Sequence, residues 1–344
     1  MTASTDLFKT QLVVYRAQVV EAMLSLVPDR EPQKHLYGVI ADQLKSGGKG
    51  FRPALCLATA QAFGSTSDRA IPSAAALELL HSAFLVHDDI EDESLYRRGR
   101  PTLQQRVGVP LAINVGDALN ALSARVLRQN LGLLGPALSA RILDEFEHMT
   151  TETIEGQAME LGWMRDNEHT TTEDDYLLMV LKKTTWYSFI HPARIGALIA
   201  QPERSDLAAF DRFGYFLGAA FQLWDDILNL TGEVRKYGKE IGGDVYEGKR
   251  TLMLIHLRSS CDATEQRRIE AFLSKPRSQR LPREVAWLMA LMRERGSIEH
   301  ARRAASDFAD AARNELEVAY RDALPGPPLD FIRGLVGTVA AREA

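Results

Sequence analysis

Apolar side chains recur at three- and four-residue spacing along almost the whole chain, close to the period of about 3.6 residues at which one face of an α-helix repeats. The pattern predicts helices over about 6–26, 31–44, 53–63, from about 68 into an acidic run at 88–93, then over about 103–134 and 136–164. Thr172-Glu173-Asp174-Asp175 resembles a capping box and opens a further helix that reaches Phe189. Another apolar helix ends near Asn229, and four more are predicted over about 264–273, 282–295, 297–320 and 329–342. Glycine, proline and polar clusters mark loops at 45–53, 96–102, 165–171, 236–251 and 321–328. No strand-like alternation of useful length appears, and no repeat with a period of about 20–50 residues. The expectation is one all-α domain, a single helical bundle spanning residues 1–344.

Two of these helices end in a way their own chemistry disfavours. The first runs through His81, Ala83, Phe84 and His87, then meets Asp88-Asp89-Ile90-Glu91-Asp92-Glu93, five acids in six residues. Asp88 and Asp92 share one face, and acids at a helix C-terminus are opposed both by the macrodipole and by each other. An isolated acidic run is ordinarily a solvated helix end. Here the arrangement recurs 137 positions later (225 − 88): an apolar run through Phe221, Gln222 and Trp224 ends in Asp225-Asp226, with Asn229 one turn beyond Asp225. If the two helices face each other, Asp88, Asp92, Asp225 and Asp226 surround a central cavity with apolar walls. Hard cations suit such a place. Mg²⁺ prefers oxygen ligands and binds through one or two carboxylates together with substrate phosphates, so a diphosphate ligand is the natural inference.

Three other segments carry cations. Gly47-Gly48-Lys49-Gly50-Phe51-Arg52-Pro53 is a turn whose glycines let backbone N–H groups approach an anion while Lys49 and Arg52 add charge, although surface lysines on a Gly-Gly loop are commonplace. Tyr96-Arg97-Arg98-Gly99-Arg100-Pro101 lies directly beyond the first acidic run; its arginines either neutralise those carboxylates or grip a second phosphate, and the residues leave both open. The loop at 236–251 holds Lys239 and Lys249 just after the second acidic pair and reads as a lid that closes cations over a charged ligand. Lys183 and Thr184 are polar groups between apolar segments, whereas Trp186 and Tyr187 read as packing residues.

Composition narrows the function class. The net charge of −5, from 41 basic and 46 acidic residues, gives no basic field for nucleic acid or anionic membrane. Cys56 and Cys261 are the only cysteines, which excludes a disulfide framework and fits a reducing compartment. With no apolar signal core at the N-terminus and no uninterrupted apolar run long enough to span a bilayer, the expected location is the cytoplasm.

Taken in order, these segments resemble the trans-isoprenyl diphosphate synthase family, the head-to-tail prenyltransferases, over nearly the whole chain. The resemblance rests on Gly47-Gly48-Lys49 with Arg52-Pro53, Asp88-Asp89-Ile90-Glu91-Asp92, Arg97-Arg98-Gly99, Pro101-Thr102, Gly156-Gln157, Lys183-Thr184, Phe221-Gln222 with Asp225-Asp226, and the Gly238-Lys239 to Gly248-Lys249 loop. The sequence departs from the family pattern at Gly50, where a basic residue is usual, at Glu160 in place of Asp, and at Asn229 in place of the last Asp of the second motif.

The resemblance implies the isoprenoid synthase fold, usually homodimeric, and three Mg²⁺ ions held with the allylic diphosphate by Asp88, Asp89, Asp92, Asp225 and Asp226. It gives catalytic roles to Asp88, Asp92, Lys183, Asp225 and Lys239. Arg97, Lys183 and Lys239 would contact that diphosphate, with Thr184, Gln222 and Lys249 nearby, while Lys49, Arg52, Arg98 and His81 would bind isopentenyl diphosphate. Residues four and five before the first motif commonly set product length in the family. Here they are Phe84 and Ala83. Phe84 lies one turn before Asp88, and a pitch of ~5.4 Å is close to one isoprene unit, so a bulky residue there makes a floor. One large and one small residue imply a C20 product, geranylgeranyl diphosphate, with C15 and C25 as rivals. A class I terpene cyclase is a second reading, but Asn229 to Glu233 lacks its metal-motif spacing and it needs no second diphosphate site. A non-catalytic synthase subunit is a third, and such subunits tend to lose the acidic motifs kept here.

Overall fold

The computed structural model describes residues 3–204, 206–232 and 240–341. Helices α1 (Ala3–Leu26), α2 (Gly38–Ser46), α3 (Phe51–Ala62) and α4 (Ser67–Glu91) come first. A hairpin of two two-residue strands, Tyr96–Arg97 against Arg100–Pro101, follows α4. Then come α5 (Leu103–Val107), α6 (Val109–Leu127), α7 (Asn130–Leu133) and α8 (Pro136–Arg165). Helix α9 (Glu173–Val180) runs through a π-helical stretch, Leu181–Ile190, directly into α10 (His191–Ala200), and α11 (Ala208–Thr231) follows. Among the described residues six more α-helices follow: Gly243–Glu247, Leu252–Ser260, Ala263–Leu273, Pro282–Glu294, Ser297–Ala319 and Pro327–Ala340. The all-α expectation holds.

The differences from the periodicity have local causes. The stretch predicted as one helix over 103–134 is three, because Gly108 turns the chain with φ +83° and the path bends again at Arg128 and Gln129. The segment predicted over 31–44 begins as a π-turn, Gln33–Tyr37, before α2. Leu252–Ser260 was hidden by the glycine-rich run ahead of it; Thr251 caps it by accepting from the Leu254 N–H. The Thr172 cap is as predicted, with Thr172 Oγ1 accepting from Asp175 N and the Asp175 carboxylate accepting from Thr172 N.

Helix α4 is the axis of the fold. By length and composition it is long and apolar enough to cross a membrane, yet 67% of that window is buried inside the bundle. Around it α3, α6, α10 and α11 build the larger of two apolar clusters, and α1 and Pro327–Ala340 close it. The second cluster joins α9 and the lower part of α11, through Trp224 and Ile227, to the helices between Leu252 and Ala305. The acidic ends of α4 and α11 are therefore fixed by separate cores that α11 links.

The π-helical stretch is closely packed on two sides. A π turn is wider than an α turn and is a frequent mark of functional sites. It is accommodated by glycines on both flanking helices. A Cβ at Gly156 of α8 would collide with Lys183 N and lie 2.7 Å from Lys183 Cα; at Gly214 and Gly218 of α11 it would come within 2.5 Å of Ile190 and Thr185. We expect Gly156→Ala to lower stability by about 1–3 kcal/mol through this overpacking. In contrast, Gly162→Ala on the same helix, where nothing lies within 4 Å, should be neutral or stabilising by up to about 1 kcal/mol. Urea denaturation of both variants checks the pair.

Candidate active site

The helix ends meet at a cavity of about 1020 Å³ lined by α4, α8, the π stretch, α11, the turn at 48–52 and Lys249. Of the carboxylates expected to surround it, Asp88, Asp225 and Asp226 line it directly, whereas Asp89 and Asp92 are buried and lie outside the lining. Asp92 is the residue that caps α4 rather than part of the helix. Lys239 lies outside the described residues.

Protein cations hold these acids. Arg97 donates to Asp89 at 2.6 Å and to Asp88 at 2.9 Å, so it neutralises the acidic motif, one of the two roles the sequence left open. Lys183 lies 3.3 Å from Asp88 and donates to Glu160, and Lys249 donates to Asp92 at 2.6 Å beside Glu247 at 2.9 Å. Burial opposes charge on Lys183, but Glu160 and Asp88 outweigh it and hold the ammonium above its ordinary range. Burial likewise pushes Glu160 up, and Lys183 and Lys249 bring it below the usual value. Asp92 is pushed up to about 7 by burial, opposed by Lys249 and reinforced by Asp88 and Glu247.

On α11 the pattern is different. Asp226 accepts from Tyr176 Oη at 2.7 Å and from Gln222 Nε2 at 2.8 Å, and Gln222 in turn accepts from Thr184 Oγ1 at 3.1 Å. Burial raises Asp226 to about 7 in spite of those donors, with Asp225 and Glu160 adding to the rise. Asn229, which stands where the family pattern has the last Asp of the second motif, is buried and outside the cavity lining: its Oδ1 accepts from Asp244 N and its carbonyl from Gly242 N, so it holds residues 242–244. Among the described residues no three acidic, histidine or cysteine side chains converge tightly enough to hold a metal between them. The donor set still suits Mg²⁺. It is all carboxylate oxygen, and Asp92 Oδ1 is buried with no hydrogen-bond partner.

The second charged group gathers around Arg52. Its guanidinium donates to Ser188 Oγ at 2.7 Å and Tyr187 Oη at 2.9 Å, lies 4.3 Å from the centre of the Tyr187 ring, and approaches His81 Nε2 at 3.2 Å. Burial, then Arg52 and Arg98, hold His81 well below its ordinary pKa, so the ring is neutral. Arginine only donates; His81 Nε2 therefore accepts, and its proton sits on Nδ1, facing Tyr187 Oη at 3.4 Å. Lys49 and Arg98 also line the cavity, and Arg98 donates to the Gly47 carbonyl.

Tyr187 is the correction here. The sequence reads it as a packing residue; it lines the cavity, accepts from Arg52 and meets Phe84 in an edge contact 5.6 Å away. Its position four after Lys183 was the available signal. Trp186 does pack, against His148 and His191. Phe84 lines the cavity as expected, but Ala83 is buried in the core and does not. Tyr176 and Glu78, both on the cavity wall, were missed, and Tyr176 had no signal, being 50 positions from the Asp226 it holds.

Lys183 and Glu160 should be energetically coupled. Lys183→Met takes from Glu160 the ammonium it accepts from, and from Asp88 one of its two cations, and is expected to destabilise the fold. Adding Glu160→Gln should return about 1–3 kcal/mol of the loss in a double-mutant cycle by urea denaturation; purely additive losses would show that the pair does not interact.

Comparison with known proteins gives consistent matches. The polyprenyl synthetase family profile matches residues 33–292. A geranylgeranyl diphosphate synthase of Sulfolobus acidocaldarius is 33% identical over 298 residues, covering 86% of this chain and 88% of the relative. Among solved structures, geranylgeranyl pyrophosphate synthetase of Pyrococcus horikoshii superposes with a TM-score of 0.85 at 30% identity, covering 98% of this chain and 99% of that one. Polyprenyl synthase of Caulobacter crescentus, complexed with calcium and isoprenyl diphosphate, superposes with a TM-score of 0.86 at 25% identity, over 100% and 99% of the two chains.

Proposed function

The chain belongs to the polyprenyl synthetase family, and from that premise we propose that it condenses isopentenyl diphosphate head to tail (1′-4) with an allylic prenyl diphosphate and releases C20 geranylgeranyl diphosphate. It is a prenyltransferase. The observation that carries the substrate assignment is that one cavity is lined both by Asp88 and Glu160, paired with Arg97 and Lys183 and with Lys249 nearby, and by a separate cationic group, Lys49, Arg52 and Arg98. A cyclase acting on one diphosphate has no use for the second group.

Asp88, Asp92 and Asp225, with Asp89 and Asp226 beside them, would hold three Mg²⁺ ions, which when bound shield the charge on the allylic diphosphate. Arg97, Lys183 and Lys249, freed from the carboxylates, would turn their donors to that diphosphate and stabilise it as the C–O bond breaks and its oxygen keeps the electron pair. The allylic cation so formed lies against the aromatic walls of Phe84 and Tyr187, which exclude water. Lys49, Arg52 and Arg98 hold isopentenyl diphosphate, and neutral His81 orients Arg52. Its double bond attacks the cation, and the proton lost in restoring the alkene goes to the departed diphosphate. No side-chain base is required.

We read the enzyme as a cytoplasmic homodimer. Apolar side chains exposed on α6 (Leu111, Ile113) and α8 (Leu143, Ile154) support a second copy, and the free thiols of Cys56 and Cys261 support a reducing compartment.

Incubating the protein with Mg²⁺, isopentenyl diphosphate and dimethylallyl, geranyl or farnesyl diphosphate should give a linear C20 diphosphate by chain-length analysis. Another length keeps the reaction and discards the C20 assignment; cyclic hydrocarbon, or no consumption of isopentenyl diphosphate, discards the reaction. Because Phe84 is the bulky residue one turn before Asp88, Phe84→Ala should shift the products to longer chains, and an unchanged distribution would remove it as the floor.

A further inference from the structure

The N-terminal helix carries a cation that the reaction just described does not use. Arg16, exposed on α1, lies over the 47–50 turn: a Cβ at Gly47 would collide with its guanidinium, 2.8 Å from Cζ, and a Cβ at Gly50 would stand 3.6 Å from its Cβ and Cγ. The Arg16 stem therefore borders the space that a side chain from position 50 would enter. Gly50, at φ +69°, is also the N-cap of α3 and offers no side chain to its first N–H groups, a place where a helix favours an anion.

A recess lined by Arg16, Gly47, Gly48, Gly50, Glu78 and Arg98 adjoins the main cavity, which shares Gly48, Gly50, Glu78 and Arg98 with it. Glu78 is 9% exposed, and its Oε2 has no hydrogen-bond partner. Burial pushes its carboxyl up; Arg52, Arg98 and Arg16 are the charges that oppose the rise. Three arginines from α1, α3 and the hairpin thus face one buried acid that none of them bonds directly.

Resting on the function proposed above, we propose that Arg16 is a further binding residue of the isopentenyl diphosphate subsite. It supplies from α1 the charge that position 50 lacks, and Glu78 is the buried carboxylate around which Arg16, Arg52 and Arg98 are grouped.

Two substitutions separate charge from packing. Arg16→Met keeps the stem beside Gly50 and removes the charge, whereas Arg16→Lys keeps a charge. In steady-state condensation assays Arg16→Met should raise KM for isopentenyl diphosphate about tenfold, the scale of one lost hydrogen bond to a charged group. KM for the allylic substrate and the thermal midpoint should not move, and Arg16→Lys should recover most of the loss. An unchanged KM in Arg16→Met, or equal rises for both substrates, overturns the assignment. If the wild-type chain consumes no isopentenyl diphosphate, the proposed function fails on its own, and calorimetric titration with metal-free inorganic pyrophosphate then decides about Arg16. Binding about tenfold weaker in Arg16→Met than in wild type supports it; equal affinity, including no binding by either, overturns it.

Discussion

Carboxylates brought together on the wall of a partly dry cavity cannot stay ionised without counter-charge. Two unit charges 4 Å apart at an effective dielectric of about 20 interact by about 4 kcal/mol, enough to decide where neighbouring side chains go. Arg97, Lys183 and Lys249 each reach the site from a different element and end on the acidic motif or beside it. The hairpin, the π stretch and the segment after Gly248 are thereby drawn to the end of α4. Under the proposed function the same cations would receive the diphosphate, so the arrangement that satisfies the acids would also prepare the site for its ligand.

The position of Lys183 depends on backbone geometry as much as on charge. The π stretch carries Lys183, Thr184, Tyr187 and Ser188, which serve both halves of the cavity. A wider turn needs neighbours that come close without side chains, and Gly156, Gly214 and Gly218 provide them on two sides. Each of these glycines therefore acts on the site through the packing of a helix rather than through any contact with substrate.

Beside Arg52 the cavity is lined by an aromatic and imidazole cluster. Tyr187 meets Arg52 with its hydroxyl and Phe84 with its ring, while His81, kept neutral by burial and by the arginines, accepts from Arg52. A neutral imidazole adds no charge to a region already rich in cations, and it fixes the direction of a guanidinium that would otherwise have several rotamers.

Local sequence determined the features that depend on a residue and its near neighbours. The helical period, the Thr172 cap, the acid pairs at the ends of two helices and the glycine-rich turns were all legible, because each follows from spacing within a few residues. The distribution of charge among partners was not, since it is settled by contacts far apart in the chain. Arg97 was free to neutralise or to bind phosphate until its distances to Asp88 and Asp89 were known. Asn229 had the register of a metal ligand but faces Asp244 N, and Tyr187 had the look of a core residue but faces the cavity. Ala83 and Phe84 are adjacent in sequence, yet only Phe84 meets the cavity, because one residue turns a helical side chain by about 100° and the packing of α4 chooses which direction is the wall. Arg16 is the extreme case: nothing within 30 residues of it hints at a ligand, and only the path of α1 over the 47–50 turn brings it to the site.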